Sequence, residues 1–202
     1  MLLPRRTAAV AIHVSISNPA SVVIADEQLR HIDARESLLD AAFGPERLGK
    51  TSERLREGRL PADGLALVAT AGERLVGTVR LWNVTLGPSR PSLLLGPLAV
   101  DGTLRAAGIG GQLMRAALGR AKDEGHASVI LVGDAPYYSR FGFGAAKMDK
   151  LWMPGPLDRA RFLGLELVPG ALDGARGLVS PTGVEAPRWR DVELPGAWRI
   201  AA

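Results

Sequence analysis

The 202-residue chain predicts an α/β domain built on a mixed central β-sheet with helices on both faces. Three observations carry that reading. Short apolar runs with strand character alternate with segments of helical period. An apolar strand, an amphipathic helix and a second apolar strand follow in series between residues 93 and 132. Such a series implies a parallel crossover, right-handed by default. No linker, low-complexity run or internal repeat divides the chain.

The elements follow in order. Val22 to Ala25 is a β-branched run and reads as the first strand. Asp26 to Phe43 has a helical period, with Leu29, Ile32, Leu38, Leu39 and Ala42 on one face, Glu36 and Asp40 on the solvated side, and Gly44-Pro45 as a stop. Thr51 to Gly58 reads as a second short helix with Thr51 as its cap. Leu65 to Thr70 and Leu75 to Val84 flank a Gly-containing turn and predict a hairpin. After a loop with Gly87, Pro88 and Pro91, Leu93 to Val100 is apolar enough for burial on both faces. Ile109 to Glu124 is the clearest helix, ended by Gly125. Ser128 to Val132 is a further buried strand, and Pro136 to Arg140 fits one helical turn. Leu151 to Met153 and Phe162 to Val168 are late strands, and Gly183 to Leu194 is a candidate for one more irregular strand.

Composition narrows the function. Hydrophobic residues make up 47% and charged residues 23%, ordinary values for a soluble globular protein. The absence of Cys excludes a disulfide scaffold, a thiolate nucleophile and a thiolate metal site. His13, His31 and His126 lack metal-ligand spacing, so no metal is expected. A net charge of +4 permits an anionic ligand without demanding nucleic acid. No apolar run approaches the ~18 residues of a membrane span. Residues 1–20 read as a loosely ordered extension rather than an export signal, residues 21–170 as the domain, and residues 171–202 as an extension packing on it. The expected setting is the cytoplasm, with no membrane and no nucleic acid as partner.

One segment carries chemistry. Leu98-Ala99-Val100 ends a strand, a short loop carries Arg105-Ala106-Ala107, and Gly108-Ile109-Gly110-Gly111 opens the helix. A helix start offers unpaired N–H groups and a partial positive charge. Glycines allow an anion close approach, and an arginine adds a charged fork. A pyrophosphate site is therefore expected at residues 105–111. The Gly-Lys-Ser/Thr ending of a Walker loop is absent, and a dinucleotide fingerprint begun at Gly108 fails at Leu113. Arg105-Ala-Ala-Gly108-Ile-Gly110 instead matches the pattern Arg/Gln-x-x-Gly-x-Gly/Ala in every fixed position.

On these residues the sequence resembles the GNAT superfamily, the GCN5-related N-acetyltransferases. The resemblance spans roughly residues 22–168 and is nearest to bacterial members with Leu-Gly-Pro-Leu-Ala-Val before the loop and Gly-Asp-x-x-Tyr-Tyr-x-Arg-Phe-Gly-Phe after the next strand. Here these are Leu95 to Val100 and Gly133 to Phe143. The resemblance implies a GNAT fold with a splayed parallel strand pair. It also implies acetyl-coenzyme A as cosubstrate, an amine acceptor on a small molecule or peptide, and direct attack on the thioester; a homodimer is a further implication. Leu98, Ala99 and Val100 would pair with the pantetheine arm, Arg105 to Gly111 would hold the pyrophosphate, and Asp134 would stand at the cofactor corner. Tyr138 would be the general acid, with Tyr137 as its alternative. A phenol of ordinary pKa, about 10, can donate to a leaving thiolate at modest cost. Pro97, which lacks an N–H, suits a strand parting from its neighbour. The general base stays unassigned. A non-catalytic acyl-coenzyme A sensor is the alternative function.

In such a fold the acceptor is expected between Phe43 to Leu55 and Pro154 to Phe162. Arg47, Lys50, Arg54, Arg159 and Arg161 there outnumber Glu46, Glu53 and Asp158, which points to an acceptor carrying a carboxylate or phosphate.

Overall fold

The computed structural model describes residues 22–187. The strands are β1 (Val22–Asp26), β2 (Ala66–Ala71), β3 (Arg74–Leu86), β4 (Arg90–Val100), β5 (Ser128–Val132), β6 (Leu151–Trp152), β7 (Phe162–Glu166) and β8 (Gly177–Pro181). The helices are α1 (Ile32–Phe43), α2 (Ile109–Asp123) and the single turn α3 (Ala135–Tyr138). The sheet runs β1-β2-β3-β4-β5-β7. All neighbours are antiparallel except β4 and β5, the parallel pair that the crossover through α2 requires.

Period-two alternation divides the sheet between two cores. Leu93, Leu95, Val129 and Leu131 face the helix α2, where Ile109, Leu113, Met114, Ala117 and Ala121 form its buried stripe. Leu94 and Ile130 face the other way, toward Trp82, Leu55, Met148 and Phe162. The guanidinium of Arg80 lies 5.7 Å from the Trp82 ring and pairs with Glu27, which also pairs with Arg35 of α1. That chain of contacts puts α1 on the Trp82 face, so helices cover both sides. Inside the β4–β5 seam, the Ser128 hydroxyl donates to Ser92 Oγ (2.8 Å), and Ser92 donates to the Ser128 carbonyl (3.1 Å). Both hydroxyls are buried and both are satisfied.

Several boundaries differ from the sequence reading. The first strand continues through Asp26, and Glu27 N–H bonds the Ala66 carbonyl, so α1 begins only at Ile32. Leu29 lies outside the helix and is exposed, while Arg35 joins Leu39 on the buried strip. Glu36 and Asp40 keep accessible side chains on the solvated side, as expected, and both pair with Arg47. The expected helix at Thr51 to Gly58 is only a 3-10 turn, Glu53–Leu55. Thr51 does not cap it; its hydroxyl donates across to the Pro156 carbonyl (2.5 Å). Pro91 sits within β4 opposite Thr85 rather than in the loop. The β7 strand stops at Glu166. Leu93 to Val100 is buried on both faces only to Leu95; Gly96, Pro97 and Leu98 are partly open.

Residues 177–181, unreadable as a strand from sequence, form β8, which pairs with the far end of β3 and with β6. Within the candidate strand at 183–194, the described part, residues 183–187, holds one bridge, Arg59 to Glu185; residues 188–194 and the extension at 1–20 lie outside the described residues.

Candidate active site

The site begins where β4 leaves β5. The two strands pair only at Leu93–Val129 and Leu94–Ile130. Beyond Leu94 the backbone of β4 changes character. Gly96 has φ +125°, a region closed to most side chains, and Pro97 offers no N–H. On the other edge, the β3–β4 register shifts between Val79 and Leu81, and Gly96 and Pro97 bulge there. Trp82 Nε1 donates to the Gly96 carbonyl (2.6 Å), tying the bulge back to β3. The second half of β4 thus borders open space instead of a neighbouring strand.

That space is a cleft of about 1400 Å³. One end is the start of α2. Asp101 accepts from the Thr103 N–H (2.8 Å) and opens the 3-10 turn Gly102–Ala107, which contains Arg105. Gly108 follows in the left-handed conformation, φ +74°. Gln112 N–H makes the helix bond to the Gly108 carbonyl (3.1 Å), so the N–H groups of Ile109, Gly110 and Gly111 precede the helical ladder. The neighbourhood of Gly110 is tight: a Cβ there would sit 2.8 Å from the Tyr137 hydroxyl.

The other side of the cleft is the end of β5. Asp134 caps α3 by accepting from the Tyr137 N–H (3.1 Å). Tyr138 packs its ring on Gly133, where a Cβ would lie 2.2 Å from the ring, so a side chain at 133 would evict the tyrosine. The Tyr137 and Tyr138 rings meet edge to face, centroids 4.9 Å apart. Burial, reinforced by the neighbouring Tyr137, pushes the Tyr138 hydroxyl up to about 12. Burial also raises Tyr137, opposed by Arg140 and Arg115.

Leu98, Ala99, Val100, Ala106, Gly108, Gly110, Gly111, Asp134 and Tyr138 all border this one cleft. Ala107 and Ile109 do not; the Ile109 side chain is buried in the α2 core, leaving only its backbone toward the turn. Tyr137 borders the cleft as well.

The basic segments Phe43 to Leu55 and Pro154 to Phe162 differ most from expectation. Arg47 is neutralised by Glu36 and by Asp40 (2.7 Å). Arg159 donates to the carbonyls of Leu151, Met148 and Asp149 at 2.6–2.8 Å and packs near Trp152 and Phe162, so it staples the fold. Arg54 donates to the Pro154 carbonyl (2.8 Å). Lys50 lies over the Phe43 ring at 5.1 Å. Arg161 borders the cleft with no ion pair among the described residues. Sequence reasoning missed Arg56, which is buried in the cleft wall and paired with Glu53. The available signal was its spacing: Glu53 three residues before it and the apolar anchor Leu55 beside it. Among the described residues no group of three or more His, Asp or Glu is placed to hold a metal.

A mixed α/β sheet whose parallel pair parts over a glycine-lined helix start, with a tyrosine bordering the gap, is the arrangement that the resemblance to N-acetyltransferases implied. A family model described as an acetyltransferase (GNAT) domain matches residues 28–146. The uncharacterized N-acetyltransferase YhbS of Escherichia coli (strain K12) is 34% identical over 149 residues, 71% of this chain and 86% of the relative. The crystal structure of YhbS from Escherichia coli in complex with CoA is similar at TM-score 0.69 and 32% identity, covering 80% of this chain and 89% of that one. A GNAT family acetyltransferase from Brucella melitensis, solved with acetyl-CoA, is similar at TM-score 0.61 and 25% identity, covering 81% and 97%. This chain belongs to the GNAT acetyltransferase family.

Proposed function

We propose that the protein moves an acetyl group from acetyl-coenzyme A to a primary amine by direct attack. The parting of β4 from β5 over the start of α2 carries this reading. The N–H groups at Ile109–Gly111 suit a diphosphate, the open edge of Leu98–Val100 suits an amide-bearing arm, and Asp134 borders the same cleft. The amine nitrogen bonds to the thioester carbonyl carbon, the C–S bond breaks, and the amine gives up a proton. A backbone N–H on the open half of β4 is suited to hold the oxyanion.

Tyr138 is our candidate for the group on the leaving sulfur. Its seat at the end of β5, away from the Gly110 corner that Tyr137 touches, supports this choice. The raised pKa refines the role. Full transfer from a phenol at about 12 to a thiolate near 8.5 is uphill, on the order of 5 kcal/mol. Tyr138 therefore serves best as a hydrogen-bond donor to sulfur: coenzyme A departs as the thiolate and takes its proton from solvent, while the amine's own proton leaves to solvent. The lack of cysteine suits a reducing cytoplasmic setting.

The test is free-thiol release from acetyl-coenzyme A across an amine panel, with mass spectrometry of the products. Turnover that is lost in Tyr138→Phe while acetyl-coenzyme A still binds supports the proposal. Tight binding without turnover on any amine supports the sensor instead.

A further inference from the structure

With Arg35, Arg56 is one of two buried charged residues among those described. It is only 8% exposed, although it stands on a short 3-10 turn rather than inside the sheet. Most of its guanidinium is engaged. Nε donates to the Ser52 carbonyl (3.1 Å), and Nη2 reaches Ser52 Oγ (3.1 Å) and Glu53 Oε2 (2.9 Å). Nη1 has no hydrogen-bond partner among the described residues, whereas no wholly buried side-chain nitrogen or oxygen among them lacks one. Nη1 therefore keeps open surface, and the space bordering Arg56 is the cleft. It lies 3.9 Å from the point where a side chain on Gly96 would begin, which places it at the bulge where β4 parts.

Glu53 also borders the cleft, and its second oxygen, Oε1, has no partner among the described residues. The pair thus keeps one donor nitrogen and one acceptor oxygen without partners among the described residues, with the guanidinium held by Ser52. A fixed guanidinium edge matches a carboxylate, and a carboxylate oxygen beside it matches an amine. The remaining charge agrees: Arg161 adds to the wall a cation with no ion pair among the described residues, and Asp158 spends one oxygen capping Ala160 (3.0 Å).

We infer that the acceptor is a free amino acid, its carboxylate held by Arg56 Nη1 and its amine by Glu53 Oε1, next to the open half of β4. This rests on the reading of the cleft as an acetyl-transfer site. It makes Arg56 a specificity-determining residue of that site, and it narrows the anionic acceptor expected from sequence to one with charge and amine a few bonds apart.

The test uses the full chain and matched acceptors: L-phenylalanine with phenethylamine, L-tryptophan with tryptamine, and L-alanine with ethylamine. Thiol release should favour at least one amino acid over its decarboxylated partner by 10- to 100-fold in kcat/KM, the range expected of a hydrogen bond between charged groups. In Arg56→Gln that preference should fall to within threefold of unity, with the acetyl-coenzyme A Kd unchanged. Arg56→Lys should retain part of it. Saturation-transfer NMR of the same compounds on coenzyme A-loaded protein gives an independent readout. Equal or better turnover of every decarboxylated amine, or no NMR contact from any of the amino acids, overturns the inference while leaving the transferase reading intact. Amino acid binding that Arg56→Gln abolishes, with no thiol release, upholds the recognition site and rejects the transferase reading.

Discussion

The two ends of the cleft are built by opposite means. The end at α2 is made from consecutive residues, Leu98 to Gly111, in which a strand, a turn and a helix start follow directly. The end at Arg56 is assembled from distant segments: Thr51 reaches Pro156, Arg54 reaches Pro154, and Arg47 is held by Glu36 and Asp40. The first depends on backbone geometry that few sequences satisfy. The second depends on which charges find partners, and partners are set by tertiary packing. Cosubstrate recognition is thereby expected to survive changes at the acceptor wall, and acceptor choice to survive changes that spare it.

The largest effect expected at the shared centre is that of Tyr138→Phe, a loss of about 100-fold in kcat. The acetyl-coenzyme A Kd, measured by calorimetry, should move less than threefold. Tyr137→Phe should cost less than fivefold in kcat, and a reversal of the two would exchange their roles. At the α2 end, Gly110→Val should weaken acetyl-coenzyme A about 30-fold by filling the approach to the helix start, with helix content by circular dichroism retained. At the acceptor end, Arg159→Ala removes three charge-assisted bonds to carbonyls and should lower unfolding stability by about 2 kcal/mol. It should raise the acceptor KM while leaving cosubstrate affinity nearly unchanged.

The smallest effect is one of pH. The raised value of Tyr138 means its proton is lost only as pH climbs toward 12. The kcat/KM profile should therefore rise as the acceptor amine deprotonates and show no decline through pH 10. A decline centred near 10 would assign the donor to a tyrosine of ordinary pKa.

The same contrast explains what the sequence made legible. Gly108, Gly110 and Gly111 announce themselves because a left-handed turn and a close approach at a helix start have few alternatives to glycine. The hairpin and the parallel crossover follow from run length and alternation, as Leu93 to Leu95 and Val129 to Leu131 show. The 3-10 turn at Glu53–Leu55 was mistaken for a helix because Thr51 looks like a cap, and nothing local reveals that its hydroxyl goes to Pro156. β8 was missed because a five-residue strand bounded by glycine and proline carries almost no periodic signal. Arg47 and Arg159 look like free cations in the sequence because a sequence shows charge and not its partner. Arg56 carries no such signal, since what sets it apart is burial.

Backbone NMR of the ¹⁵N-labelled chain, titrated with acetyl-coenzyme A and separately with ATP, tests the central claim most directly. The account expects the largest acetyl-coenzyme A shifts at the amides of Gly108, Gly110, Gly111 and Leu98 to Val100, with much weaker effects from ATP at equal concentration. Shifts that avoid these amides, or that appear with ATP alone, would contradict it.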